Sequence, residues 1–512
     1  MEKRRRWAPL RGDRSLWILV SLLLIFSLMV IYSATNSKVY IEGDAAKGDT
    51  SYYLFRQLRF VIMGFVAMVI IHWVNFKFYA RFLPLIFYIS VILVIMTALF
   101  GKNVNEASRS LTIPVFGSFQ TIEMLKISLV ALLALRLGRL APIINDLPLL
   151  PSLTRRWRDH NRNTFIWQHM TLALLLPVVL ACGAIMPMNL SGAILIFAIS
   201  MAIFLVARVR AWQVVKVSAM GGAVIVVLVA ALYIFGVGRA QVWVSRVDNY
   251  VAPLFGKERI LIQPNDKIDT VLLAQKKTQE KIQSDNAKIA IIDGGIAGKG
   301  AGNSLQRSNL PLAYSDYAYA LIIEEYGLLG GVAVVVIYIW IFSRAVIIIR
   351  QCRSVTLALL VMGLALMITI QAFLNIFVCV GLFPVTGQPL PLLSMGGTSV
   401  LFTCVAFGMM LSVSRQNDKE KAMRAKLQAP GAEPKEEEHP PQQEYEEFIQ
   451  DYAELIPEQA EQDYFEEGEQ EQLQSEGDMQ PEDDDDFPFE LVDRATEDVE
   501  AQKKDRETVE LY

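Results

Sequence analysis

The chain is written in long apolar blocks separated by short polar joints, so block length rather than fine periodicity carries the first message. About twenty consecutive apolar residues cross a bilayer as a helix. Blocks of that kind lie near 16–32, 60–74, 82–100, 121–138, 168–186, 190–207, 214–235, 317–342, 355–379 and 390–413. The pattern predicts an all-α polytopic membrane protein with about ten transmembrane helices. Two blocks depart from an ideal span: 60–74 is short, and 121–138 carries Glu123 and Lys126.

Basic residues flank alternate joints: Lys3 to Arg6 with Arg11 and Arg14, Lys77 and Arg81, Arg136 to Arg162, Arg208 and Arg210, Arg344 to Arg353, and Arg415 to Lys426. That bias marks cytoplasmic loops and puts both termini inside. The first block follows MEKRRR, but it outruns a signal-peptide core and no small-residue cleavage site closes it, so it reads as a span. The outer loops are then 33–59, 101–120, 187–189, 236–316 and 380–389, and the largest joins spans 7 and 8. Within it, Arg246 to Ala290 has enough 3.6-residue periodicity for a helix lying along the membrane surface.

Composition agrees with the blocks. The 512 residues are 53% hydrophobic and 20% charged, with a mean hydropathy of +0.35, which excludes an ordinary soluble protein. The net charge of -4 conceals a division, because residues 431–512 hold 31 of the 52 acids and only five bases. The rest of the chain has 43 bases against 21 acids, which suits loops lying against anionic lipid. Residues 1–15 form a basic cytoplasmic N-terminus, 16–413 the membrane domain, and 414–512 an acidic cytoplasmic tail too polar to fold alone. Cys182, Cys352, Cys379 and Cys404, like the four scattered histidines, have no ligand spacing, which argues against a zinc or disulfide framework.

Chemistry concentrates at the end of the largest outer loop. Gly294 to Asp316 reads GGIAGKGAGNSLQRSNLPLAYSD, a glycine-punctuated stretch closing on a carboxylate where a span begins. An acid at such a mouth is costly to keep desolvated. Asp316 also fits a plain helix N-cap, and a carboxylate held by backbone donors is well oriented for chemistry too. The glycines lack P-loop spacing, leaving a re-entrant turn or an anion-binding concavity that uses Lys299 and Arg307. Glu123 and Lys126, three apart, share a helical face. With Arg109, Gln120, Glu325, Gln371 and Asn375 they read as intramembrane polar glue more than as chemistry.

Together these pieces resemble the SEDS family of bacterial cell-wall proteins. NIFVCVGLFPVTGQPLPLLSMGGTS, Asn375 to Ser399, follows the family's N-x-x-V-x-x-G-L-x-P-x-x-G-x-x-L-P-x-x-S-x-G-G-[ST]-S pattern. The loop resembles G-G-x-x-G-x-G-x-G-N-S-x-Q-K followed by L-P-E-A-H-T-D-F, matched at Gly294, Gly295, Gly298, Gly300, Gly302, Asn303, Ser304, Gln306, Arg307, Leu310, Pro311 and Asp316. NEASRSLTIPVFGSFQTIEMLKIS resembles N-G-A-x-R-W-I through F-Q-P-S-E-x-x-K at Asn105, Ala107, Arg109, Phe119, Gln120, Glu123 and Lys126. Departures are Leu312 and Tyr314 for Glu and His, Ser110 for Trp, Asn189 for Asp, and extra length around 255–288. The resemblance covers about residues 16–413, and the first spans with the long tail favour the division branch over the elongation branch.

The resemblance implies polymerisation of lipid II into peptidoglycan glycan strands at the outer face of the cytoplasmic membrane, at the division septum. Asp316 would be the catalytic base, with Arg109, Lys299, Gln306, Arg307 and Ser394 contacting substrate and Gln120, Glu123, Lys126, Glu325 and Asn375 holding the intramembrane frame. A divalent cation, magnesium or manganese, is a candidate cofactor with Asp316 as a ligand, although no metal site is firm. The implied partners are a class B penicillin-binding transpeptidase and other division-complex membrane proteins; no nucleic acid is expected. The rivals are a lipid II flippase, an elongation-type polymerase and a division scaffold acting through the tail.

Overall fold

The structure is a computed structural model, and it describes residues 11–35, 50–100, 102–104, 107–113, 117–141, 162–234, 243–244, 246–247, 251, 282–306 and 316–427. The acidic tail beyond 427, the surface-helix segment up to residue 281 apart from a few positions, and Arg307 lie outside the described residues.

Among the described residues, ten long helices occupy the ten apolar blocks. They are α1 (Arg14–Thr35), α2 (Thr50–Trp73), α4 (Leu83–Phe100), α5 (Thr121–Arg139), α6 (Arg162–Ile185), α7 (Leu190–Val206), α8 (Ala211–Ile234), α10 (Ala318–Arg350), α11 (Val355–Cys379) and α12 (Thr398–Leu427). A short α3 (Phe76–Ala80) joins α2 to α4, and a helix over 282–294, α9, precedes the glycine loop. Seven of the ten are long and apolar enough to cross a membrane, and two shorter apolar segments, Ala173–Ile185 and Leu190–Val206, lie in α6 and α7. The tenth, α5, carries Glu123 and Lys126 but is buried along almost its whole length among other helices. Its charges therefore meet protein and not lipid, which is how an ionisable span survives.

Small residues set the packing. A Cβ on Gly138 of α5 would lie 2.6 Å from the Thr356 Cα of α11, and one on Gly408 of α12 would lie 2.8 Å from the Met68 carbonyl of α2. Close backbone approach of this kind replaces the missing hydrophobic drive between helices in lipid. The end of the bundle near the N-terminus is tied by charge. Asp13 accepts the Leu16 amide at 2.9 Å as the cap of α1, and it also accepts Arg344 Nε at 3.0 Å. Arg415 of α12 donates to the Trp73 carbonyl at 2.9 Å at that same end.

The structure corrects the expected outline in four places. The last helix begins at Thr398, not near 390, and runs on to Leu427. Pro389, Pro391, Gly396 and Gly397 keep the stretch before it out of the helix, and Leu392 takes a positive φ of 64° there. The second helix starts at Thr50, ten residues ahead of its apolar block, because its first turns carry Arg56 and Arg59. The 101–120 loop contains a three-stranded antiparallel sheet, β1 (Lys102–Val104), β2 (Ala107–Ile113) and β3 (Gly117–Phe119), with Asn103 opposite Ser108 and Thr112 opposite Ser118. Finally, α10 is two helices in series, broken at Gly327 with φ 72° and ψ -176°.

Candidate active site

Asp316 sits on the turn that opens α10, and its residue is only 6% exposed. The N-cap position falls one residue later, on Tyr317, which makes no side-chain cap bond, so the expected N-cap role for Asp316 is corrected. The turn is held from behind by α11. Asn375 Nδ2 donates to the Asp316 carbonyl at 2.9 Å, and Cys379, one helical turn on, approaches the same oxygen at 3.6 Å.

The same Asn375 nitrogen donates to the Gln388 carbonyl at 2.9 Å. Gln388 belongs to the non-helical 384–397 segment, and it lines a small open cleft of mixed polar and apolar character with Gln120, Ile122, Glu123, Asn189, Gly387, Pro389, Met395 and Gly396. Asp316 is not among the lining residues; Asn375 is its link to the cleft. Asn189 caps α7 by accepting the Gly192 amide at 3.1 Å and the Ser191 hydroxyl at 2.7 Å. An Asn does this as well as an Asp, so the departure at Asn189 keeps the local geometry.

Beneath the cleft runs a buried polar chain. Glu123 pairs with Lys126 at 2.7 Å, Lys126 Nζ donates to Gln371 Oε1 at 2.8 Å, and Gln371 Nε2 donates to the Pro389 carbonyl at 3.1 Å. The Gln120 amide donates to the Thr398 hydroxyl at 2.8 Å, joining the start of α5 to the start of α12. Ser394 Oγ accepts the Leu390 amide at 2.9 Å, so this hydroxyl shapes the loop that carries the family-like motif. Glu325 accepts a hydrogen bond from Ser33 of α1.

The glycine loop is a backbone dock. Where α10 breaks, its freed groups bond to the loop: Lys299 N–H donates to the Glu324 carbonyl at 3.0 Å, Gly300 N–H to Glu325 at 2.9 Å, and Leu328 N–H to Gly295 at 2.9 Å. A Cβ on Gly298 would stand 2.3 Å from the Glu325 carbonyl, and one on Gly327 2.2 Å from that of Ile296. These glycines thus permit backbone contact, and the amides of 298, 299 and 300 are engaged by protein carbonyls. An anion cradle formed by those amides is accordingly corrected.

Glu324 completes the dock. It is fully buried and accepts the Leu305 amide at 2.8 Å, the Gln306 amide at 3.2 Å and the Ser304 hydroxyl. Lys299 Nζ reaches Asp293 at 3.0 Å and Glu324 at 3.4 Å, and the hydrogen bond to Asp293 is the main reason its pKa is raised. Arg109 lies in β2, but its side chain, like all of Arg307, is outside the described residues.

Sequence reasoning missed Gln388, Asn189, Glu324 and Gly327 as site-building residues. Glu324 was visible as half of an adjacent acid pair, and Gly327 as a glycine two residues past that pair inside an apolar block. Among the described residues no three His, Cys, Asp or Glu side chains converge to hold a metal ion.

A multi-helix membrane protein with a buried carboxylate and an open cleft at one end of its bundle is the class that fold and site define. The chain belongs to the FtsW/RodA/SpoVE family of cell cycle proteins, whose family model matches residues 13–419. It is similar to the probable peptidoglycan glycosyltransferase FtsW of Neisseria gonorrhoeae, 28% identical over 78% of this chain and 84% of that protein. It is also similar to the peptidoglycan glycosyltransferase MrdB of Escherichia coli K12, 26% identical over 80% of this chain and 95% of that protein. Among solved structures, a chain of a peptidoglycan synthase complex that coordinates polymerization and crosslinking superposes with a TM-score of 0.55 at 19% identity, covering 80% of this chain and 99% of that one. A variant of the rod shape determining protein RodA of Thermus thermophilus gives a TM-score of 0.50 at 17% identity over 80% of this chain and 99% of that one. At these identities the structures speak for the fold alone.

Proposed function

We propose that this protein is a peptidoglycan glycosyltransferase that polymerises lipid II during cell division, with Asp316 as general base. The observation that carries the reading is the buried Asp316 turn, tied through Asn375 to an amide- and carboxylate-lined cleft at the bundle end opposite the basic loops. Basic loops face the cytoplasm, so the cleft faces outward, where lipid-linked sugars are assembled into wall.

Asp316 takes the proton of the GlcNAc 4-hydroxyl of incoming lipid II. That oxygen attacks C1 of the lipid-linked MurNAc at the end of the growing strand, and the bond from C1 to the pyrophosphate oxygen breaks with inversion. Undecaprenyl pyrophosphate departs with the electron pair. Arg109 and Arg307 supply positive charge toward the leaving group, whereas Lys299 is partly neutralised by Asp293 and Glu324 and contributes less. A class B penicillin-binding transpeptidase supplies crosslinking, and its proposed assembly with this chain parallels the solved synthase complex.

The test is lipid II polymerisation by detergent-purified protein with that partner. Asp316→Asn lowers the rate by at least about a hundredfold, the lower end of general-base contributions. Glycan formed by Asp316→Asn at the wild-type rate overturns the base. No glycan from any form, with lipid II still moved across vesicles, replaces transfer with transport.

A further inference from the structure

Helix α9 and the turn after it expose an apolar surface that the transfer chemistry does not use. Ile289, Ile292 and Ile296 are 42%, 76% and 71% exposed, and Leu328 and Leu329, just past the break in α10, are 51% and 67% exposed. The two groups are one patch, because Leu328 N–H donates to the Gly295 carbonyl at 2.9 Å and Leu329 N–H to that of Ile296 at 3.4 Å. The helix cannot roll these isoleucines inward. Its opposite face is already packed through Ala287 and Ala290, both fully buried, and through Gly294, where a Cβ would lie 2.2 Å from the Ile323 carbonyl.

Depth and continuity identify what covers the patch. On α10 it continues into Val332 and Val336, each about half exposed, four residues apart along the outward row of a membrane span. Lys288 lies over Gly381, just past the C-terminus of α11, and pairs with Asp285 at 3.5 Å, so the first half of α9 sits at the bundle end, while the charge of Asp293 at its other end is met by Lys299 at 3.0 Å. Gly294 meets Ile323 and Glu324, about eight residues beyond Asp316 and so on the order of 12 Å along α10. Between those points α9 descends past the helix mouth. Non-helical backbone at such depth needs protein partners, and the dock at the Gly327 break provides them to Lys299 and Gly300.

We propose that α9 and its turn form a re-entrant element embedded in the bilayer, with lipid acyl chains covering Ile289, Ile292, Ile296, Leu328 and Leu329. The element fixes the start of the loop leading to Asp316 at a set height in the membrane. A second polypeptide on the patch is the competing occupant. The inference does not depend on the glycosyl-transfer chemistry, so either can fail alone.

The experiment uses purified full-length protein with Cys182 and Cys352 replaced by alanine, in vesicles of phosphatidylethanolamine and phosphatidylglycerol. A nitroxide is placed in separate samples at Ile292→Cys and Ile296→Cys, with Val336→Cys as the span control and Asp285→Cys as the water control. Relaxation by oxygen relative to a water-soluble nickel chelate is expected to exceed that at 285 several-fold at 292, 296 and 336 alike. Position 296 reads the same patch if the 292 variant fails to assemble. A ratio at 292 and 296 equal to that at 285 overturns the proposal, and so does exclusion of both relaxers, which marks a covering polypeptide.

Discussion

Asn375 donates its side-chain amide to the backbone carbonyl of Asp316 at 2.9 Å, and its burial leaves water no access to that bond. The same nitrogen satisfies Gln388. One α11 side chain thus sets the spacing between the candidate base and the cleft.

Asn375→Ala is therefore expected to damage catalysis more than folding at large. It removes the amide donor from two buried carbonyls, leaving that of Asp316 the longer Cys379 contact at 3.6 Å, a loss of about 1–3 kcal/mol for each unsatisfied group, and frees the turn to shift. Lipid II polymerisation should fall by about tenfold or more, while the protein still purifies as a monodisperse membrane protein. Asn375→Asp, nearly isosteric, turns a donor toward acceptor and should be no better. Normal polymerisation by either variant would sever the proposed link.

The glycine loop gives a contrast within a few residues. Gly298 has φ +80° and its Cβ would overlap the Glu325 carbonyl, whereas Gly295 has φ +53° and nothing within 4 Å. Gly295→Ala should cost only the left-handed backbone penalty, about 1–2 kcal/mol. Gly298→Ala adds a backbone clash that opens the dock, and should lower the melting temperature well beyond Gly295→Ala. Equal thermal stability of the two variants would show that the loop does not dock on the broken helix.

The helices were legible because lipid demands long apolar blocks, and each of the ten blocks holds a long helix among the described residues. The glycine dock was not, because its partners, Glu324, Glu325 and Gly327, lie more than twenty residues on, inside a block whose apolar count hides the break. The last span was misplaced for a related reason. Leu390, Leu392, Leu393 and Met395 read as membrane residues, but the prolines and glycines among them decide the backbone. The small sheet at 102–119 escaped because strands of three and seven residues leave little periodic signal. The acid at 316 stood out in the sequence; the residues that steady it did not.

Lys299 makes a prediction about pH. Its pKa is raised chiefly by the hydrogen bond from its ammonium to Asp293, so the charged form is favoured in the folded protein. A raised folded value means that the pair's contribution is fully present below the ordinary lysine value of 10.5 and is lost only as pH climbs through the folded value above it. The melting-temperature gap between wild type and Lys299→Met should stay constant between about pH 6 and 9 and narrow above 10.5. A gap that closes near neutrality would mean that Lys299 does not hold the loop through its charge.

The Glu123–Lys126 pair separates structural charge from catalytic charge. Lys126 is fully buried, bonded to Glu123 at 2.7 Å and to Gln371 at 2.8 Å. Lys126→Met alone strands a buried carboxylate beside an amide oxygen without a donor, and removing one partner of a buried pair costs about 3–5 kcal/mol. Glu123→Gln with Lys126→Met removes both charges together, so it should recover much of that loss, a coupling that a double-mutant cycle reads from melting. Polymerisation separates two roles for the pair. If the pair only holds α5 against α11, activity returns with stability in the double variant. If Glu123, which also lines the cleft, contacts the sugar, stability returns and activity does not. The first outcome is the expected one, because Lys126 already claims the carboxylate and carries its bond on through Gln371 to the loop that shapes the cleft.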